Sequence, residues 1–332
     1  MLQTAEIRPD QAKAEYTRLL DEERQEYLDS RGLLRPAFAV PTDCPVCSHK
    51  ERRPYDPDVQ PAYQECRRCG CVYVDPRLSA EAIHQLVRNS RALNFFHEHI
   101  LLATEPVRRE HIFRPRLERL RRHVPAGRVL ELGCAVGTFL GLLKEAGYEA
   151  QGVELCRFSI EHNRRLGRIV HERPIEQLAL PPETFDAVCA WEVLCHVSSP
   201  RDTLAAAFRA LRPGGVLMLT TTNVLSFEYL TLRARHHTMI PHVFYQHFTP
   251  QGIRLLLESA GTGDIAVETP GQTDVQSVRD VLGGPDPSLG RFLNHLLFDD
   301  SAEAESRRTA FQKFIAAHDR SGHMLVTARK PL

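Results

Sequence analysis

The sequence predicts an α/β protein in which a doubly wound, mostly parallel sheet follows a small four-cysteine module and a set of helices. Three observations predict it. Residues 129–138 read as a short apolar strand, a glycine turn and the first turn of a helix. Residues 151–154 and 184–190 repeat the strand signal and alternate with helical patterning. Ahead of these, Cys44-Pro45-Val46-Cys47 and Cys66-Arg67-Arg68-Cys69 form two C-x2-C pairs with 18 residues between them.

Composition sets the bounds. The chain has 332 residues, room for one large domain or two, and its 42% apolar and 25% charged residues are those of a globular protein. Lys+Arg and Asp+Glu both number 42, which argues against a chain built mainly to bind nucleic acid. No apolar run approaches the roughly 20 residues of a membrane span. The polar, charged N-terminus shows no signal peptide, so a cytoplasmic location is expected. Nine cysteines, an odd number, also speak against a secreted disulfide framework.

Residues 1–40 come first, with Tyr16, Leu19, Leu20 and Leu28 spaced for an amphipathic helix that docks or stays partly free. Residues 41–78 hold the cysteine pairs. Each pair reads as a knuckle, and four converging thiolates describe a structural zinc ribbon with ligands Cys44, Cys47, Cys66 and Cys69. Two pairs argue against a redox C-x-x-C, and Cys71 is expected to face elsewhere. Arg52, Arg53, Arg67 and Arg68 could touch nucleic acid, but a solvated face explains them equally well. Residues 79–127 read as helices: Ala82, Ile83, Leu86 and Val87 share a face, and Leu117, Leu120 and Val124 lead into residues 128–332. His97, His99 and His111 on these helices are expected to pack rather than to act. All residues before 128 read as an attachment to the domain that follows.

The glycine turn carries the first functional signal. Glycines there let the backbone approach a ligand, and the helix behind them offers free N–H groups. Glu131-Leu132-Gly133-Cys134-Ala135-Val136-Gly137 is E-x-G-x-x-x-G, which is neither a dinucleotide fingerprint nor a phosphate loop. A carboxylate ahead of the first glycine repels a pyrophosphate but suits a cationic ligand. A second strand ends at Glu154, where a carboxylate can accept from ribose hydroxyls. Phe185-Asp186, residues 191–197 and Leu211-Arg212-Pro213-Gly214-Gly215 follow in order. This series of motifs resembles the class I S-adenosylmethionine-dependent methyltransferases.

The resemblance implies a Rossmann-like, seven-stranded sheet with S-adenosylmethionine as cofactor, and Glu131 facing its sulfonium and ammonium groups. It implies a cofactor site of Glu131, Leu132, Gly133, Cys134, Gly137, Glu154, Leu155 and Trp191. The adenine is expected at residues 173–176. Family members often have Asp where Pro174 stands, so backbone groups near Ile175, or Glu176, must serve instead. Many bacterial methyltransferases of this class begin with a similar CPxC…CxxCG module, which implies Zn²⁺ in the ribbon.

Glu192-Val193-Leu194-Cys195-His196 resembles the E-x-x-E-H loop of the ubiquinone-biosynthesis O-methyltransferases, in which the His resembles a general base. Cys195 replaces the second Glu, so a hard cation would lose an oxygen ligand. His196 is the candidate base, and packing of the following loop is the equally weighted alternative. His242, His247 and Tyr245 lie in the long segment 220–249, expected to line the acceptor pocket. His242 and His247 are second-choice bases, with loop anchoring the preferred role for His247. Residues 251–260 read as a helix, and 265–268 and 322–328 as strands. Between those strands lies an insertion, 270–321, helical at 291–298 and 307–317, that would make a lid or a homodimer surface. The expected function is methyl transfer to a small-molecule acceptor: a sugar, a glycan precursor, or a natural-product hydroxyl or amine. A protein or RNA methyltransferase docking through the ribbon, and a non-catalytic scaffold, are the alternatives.

Overall fold

A computed structural model describes residues 10–56 and 62–332 of the chain. The start of the expected N-terminal segment, residues 1–9, and residues 57–61 of the cysteine module lie outside the described residues. The first described element is the helix Asp10–Gln25, which buries Leu19 and Leu20 against Ala92. Its Glu23 accepts hydrogen bonds from Ser90 Oγ (2.7 Å) and Ala92 N (3.2 Å), so the helix is docked. Leu28 lies past the helix end and forms a bridge with Leu34.

The cysteine module contributes strands β1 (Ala39–Val40), β2 (Arg52–Pro54), β3 (Tyr63–Cys66), β4 (Val72–Val74) and β5 (Arg77–Leu78). Helical segments then run from Ala80 to His123, beginning at Ser79, whose hydroxyl accepts from Ala82 N as an N-cap should. The α/β domain follows with β6 (Arg128–Leu132), β7 (Glu149–Val153), β8 (Ile169–His171), β9 (Phe185–Trp191), β10 (Leu211–Thr222), β11 (Gln246–His247), β12 (Gly263–Glu268) and β13 (His323–Arg329). Seven of these form one sheet in the order β12-β13-β10-β9-β6-β7-β8. β13 alone runs against the direction of the other six. The expected seven-stranded, mostly parallel sheet is therefore present.

Two covered faces explain why its strands read as apolar runs. Leu130, Leu132, Val188, Leu217 and Leu219 pack against the helices Pro200–Ala210 and Pro250–Ser259. Val129, Cys189, Val216 and Met218 pack on the other face, against Leu117, Leu120, Phe139, Leu140 and Leu143. Glu131 lies two residues from Val129 and shares that second face, by the two-residue period of a strand.

Two features depart from the sequence reading. The insertion begins with a further helix, Asp274–Leu282, before Gly290–Phe298 and Ala304–Ala317. The cysteine module is also no attachment. Its meander β2-β3-β4 continues into β11 of the α/β domain, with Gln246 opposite Tyr73 and His247 opposite Val72. Cys44, Val46, Cys66, Cys69, Cys71 and Tyr73 belong to the same apolar core as Leu130 and Phe248. Thr249 Oγ1 donates to Cys69 O at 2.8 Å, and its hydroxyl also caps the helix Pro250–Ser259. A module this small buries too little surface to stand alone, and here the neighbouring domain completes its core.

Candidate active site

Parallel pairing brings the carboxyl ends of three strands level. Leu132 lies beside Val153 on one side and Ala190 on the other. The residues that follow, Gly133, Glu154 and Trp191, therefore share one edge of the sheet, where α/β proteins bind ligands. Gly133 (φ 63°) and Gly137 (φ 77°) are left-handed, and a Cβ at Gly133 would come within 2.6 Å of Val193 Cγ2. The turn thus needs glycine for both conformation and space.

Glu131 is 2% exposed, and its Oε2 has no hydrogen-bond partner. Burial holds its carboxyl well above the usual carboxylate range, with attraction to Arg116 as a partial offset. The Arg116 guanidinium lies 4.8 Å from the centroid of the Trp191 ring. Trp191 meets Phe139 edge-on, with ring centroids 5.2 Å apart, and its buried Nε1 also lacks a partner. Leu132 and Cys134 are buried beside the turn, and Cys134 N donates to Val153 O.

Glu154 accepts from three backbone N–H groups: Ala135 (2.7 Å), Leu155 (2.7 Å) and Cys156 (2.8 Å). Burial raises its pKa despite these bonds. A carboxylate offers about four acceptor positions, so one remains, enough for one ribose hydroxyl without displacing an N–H. Ile175 is buried and, with Glu176, lies in the single 3-10 turn Ile175–Gln177. Glu192 follows Trp191 with φ 58° and pairs with the half-exposed His323 at 3.1 Å. Burial opposes ionisation of Glu192, but His323 brings it down to about 2, and Glu192 in turn pushes His323 up to about 9.

The acceptor-side residues meet where residues 242–247 cross the loop after β9. Gln246 Nε2 donates to the carbonyls of Leu194 and Val197, so an amide here ties down the loop as a carboxylate could not. His196 Nδ1 donates to Val243 O at 2.7 Å, which leaves Nε2 as the lone-pair nitrogen of the neutral ring. Burial lowers the pKa of His196, so the neutral form prevails at pH 7. Its ring lies 4.4 Å from that of Phe244, and Phe244 stacks on His247 at 5.9 Å. His247 is fully buried in β11, with Nδ1 3.0 Å from Tyr229 OH and Nε2 without a partner. Tyr245 donates its hydroxyl to His242 O at 2.7 Å and packs with Leu78 and Ile83, so its polar end is already used. Burial brings His242 to about 4. Cys195 is buried, with its thiol toward Glu192 O. His97 is likewise buried and bonds Ser159 Oγ through Nδ1 at 2.6 Å.

The sulfur atoms of Cys44, Cys47, Cys66 and Cys69 all lie within 4.8 Å of one another. Cys44–Cys69 and Cys47–Cys66 are separated by 3.6 and 3.5 Å. Zn–S bonds of about 2.3 Å give a tetrahedron with S···S edges of about 3.8 Å, so the four thiolates fit the ion. Cys71 stays outside this group, its sulfur 3.8 Å from Thr249 Oγ1.

Residues 107–266 match a family model described as a methyltransferase domain. By that match, this part of the chain is similar to a methyltransferase domain. It is 31% identical over 153 residues to a ubiquinone biosynthesis O-methyltransferase of Idiomarina loihiensis, covering 42% of this chain and 63% of that protein. A Methylococcus capsulatus protein of the same name is 35% identical over 113 residues, covering 32% and 48%. The chain thus spans about half to two-thirds of the length of these curated relatives. A Haemonchus contortus phosphoethanolamine N-methyltransferase 2, solved with S-adenosyl-L-methionine, shares the fold: TM-score 0.51 and 17% identity, over 79% of this chain and 62% of its own.

Two residues beside this site carry no clear signal in the sequence. Arg116 is one of several arginines on the helix Arg114–His123, and only its i+4 relation to the buried Leu120 marks it as facing the sheet. His323 opens the last strand, and no local pattern links it to Glu192, 131 residues earlier.

Proposed function

We propose that this chain transfers a methyl group from S-adenosylmethionine to a small-molecule hydroxyl or amine. The observation that carries the reading is Glu131, a buried carboxylate with an unpartnered oxygen at the end of β6, beside a turn that only glycine fits. Burial makes the charged form of this carboxyl costly, and a cationic ligand is what would offset that cost. Bound there, S-adenosylmethionine would supply an activated methyl group for in-line displacement.

The chain's own residues would do the rest. Glu131 would face the cationic end of the cofactor, with Arg116 placed for its carboxylate, and Glu154 would accept from the ribose. Backbone groups at Gly133, Cys134, Gly137 and Leu155 would lie against the ligand, Trp191 would flank it, and Ile175 and Glu176 would meet the adenine. On the acceptor side, His196 Nε2 is the candidate base, with its orientation fixed by Val243 O. The relatives named as ubiquinone biosynthesis O-methyltransferases favour a hydroxyl over an amine as the acceptor. The four cysteines would hold a structural Zn²⁺ that keeps the meander in place against β11. The ribbon as a nucleic-acid dock is less favoured, because Arg52 and Arg53 are already paired with Asp75 and Glu65. No helix among the described residues is long and apolar enough to cross a membrane.

Calorimetric titration with S-adenosylmethionine and S-adenosylhomocysteine tests the reading. Micromolar binding of either supports it. No binding of either would bring the scaffold alternative to the front.

A further inference from the structure

Between the meander and the helix Phe227–Leu232 runs a buried file of hydrogen-bonding groups that ends at His247. The backbone N–H of Thr238 points at His236 Nδ1, 3.3 Å away. The Thr238 hydroxyl lies 2.8 Å from the same nitrogen. Tyr229 OH is 2.5 Å from Thr238 Oγ1, and His247 Nδ1 is 3.0 Å from Tyr229 OH. At the other end, His236 Nε2 lies 3.9 Å from Glu228 Oε2. Tyr229, His236, Thr238, Glu228 and His247 are all buried.

One fixed donor sets the direction of the whole file. A backbone N–H can only donate, so His236 Nδ1 is an acceptor and the neutral ring carries its proton on Nε2, toward Glu228. The Thr238 hydroxyl must then donate to that same Nδ1. With its proton committed, Thr238 Oγ1 accepts from Tyr229 O–H. Tyr229, its own proton given away, can only accept from His247, so His247 carries its proton on Nδ1. The lone pair is left on Nε2, the buried atom that has no partner.

We infer that Tyr229, Thr238, His236 and Glu228 are positioning residues that hold His247 in its Nδ1–H tautomer, so that Nε2 accepts a hydrogen bond from the hydroxyl or amine to be methylated. The catalytic meaning rests on the methyl-transfer reading, whereas the tautomer does not. An unmatched buried acceptor is destabilising, and a bound donor group would remove that cost. The backbone of His247 is held in turn by its pairing with Val72, and its ring packs 5.5 Å from that of Tyr63. The Phe244 ring packs against both His196 and His247, with centroids 4.4 and 5.9 Å away.

The test is a long-range ¹H–¹⁵N spectrum of the full chain labelled in histidine, with the His247 signals assigned by their loss in His247→Gln. The wild type should show His247 protonated on Nδ1 and His236 on Nε2. Tyr229→Phe removes only the hydroxyl and should let His247 move to the Nε2–H form. Thr238→Val should do the same, while Thr238→Ser should keep the wild-type tautomer. Wild-type His247 protonated on Nε2 would overturn the inference, and so would an unchanged tautomer in Tyr229→Phe. If Tyr229→Phe fails to fold, the wild-type tautomer and the Thr238 pair decide. Cofactor titration is a separate readout, so loss of the methyl-transfer reading and loss of this inference are distinguishable.

Discussion

Replacing Glu131 by Gln keeps the shape of the side chain and removes its charge. In the cofactor-free protein this carboxyl is 2% exposed with one oxygen unpartnered, and burial holds its pKa well above the usual range. The sign follows from which state holds the proton. The folded chain binds it more tightly than the unfolded chain, so this group's stabilisation is complete below the ordinary carboxylate range, about 4.3. It is lost as pH rises through the raised folded value. The melting temperature of wild-type protein without cofactor should therefore fall across that window relative to Glu131→Gln. A cationic ligand acts oppositely: it lowers the pKa of Glu131, so binding releases a proton and tightens as pH rises. Loss of charge-assisted hydrogen bonds costs about 1.5–3 kcal/mol, or roughly ten- to 150-fold in Kd. Calorimetry with S-adenosylmethionine at pH 6 and 8, in buffers of different ionisation enthalpy, would measure affinity and proton release together. S-adenosylhomocysteine, which lacks the sulfonium charge, should lose less. Equal affinity of wild type and Glu131→Gln at pH 8, with no proton released, would refute the reasoning.

Elemental analysis should find one zinc per chain, and a chelator that removes it should lower the melting temperature, since Cys44, Cys66 and Cys69 share their core with the sheet; metal-replete protein without zinc would count against the ribbon. Glu154→Ala should weaken cofactor binding by about 1–2 kcal/mol and also lower stability, because three backbone N–H groups lose their acceptor. Unchanged affinity would remove Glu154 from the ribose role. His196→Ala should cut turnover by about 10²-fold or more while leaving the cofactor Kd unchanged; a mild effect would leave positioning as the source of rate.

Local chemistry made the cofactor half of the site readable from the chain. The strand, the left-handed glycines and the carboxylates at Glu131 and Glu154 are consecutive or nearly so, and a parallel sheet brings the ends of β6 and β7 together whatever else the protein does. The four cysteines were legible for the same reason, because metal geometry restricts their spacing. What the sequence could not supply is every relation that depends on distant segments packing. The pairing of β11 with β4, which joins the cysteine module to the acceptor segment, has no local signature, because two-residue strands carry no period. Gln246 reads as a lost carboxylate until its amide is seen holding two carbonyls of the loop after β9. Arg116 reads as one more surface arginine until its helix lies across Trp191. The tautomer inferred for His247 depends on a backbone N–H nine residues earlier and a hydroxyl on the helix Phe227–Leu232, because hydrogen-bond direction belongs to the folded network and not to any one residue.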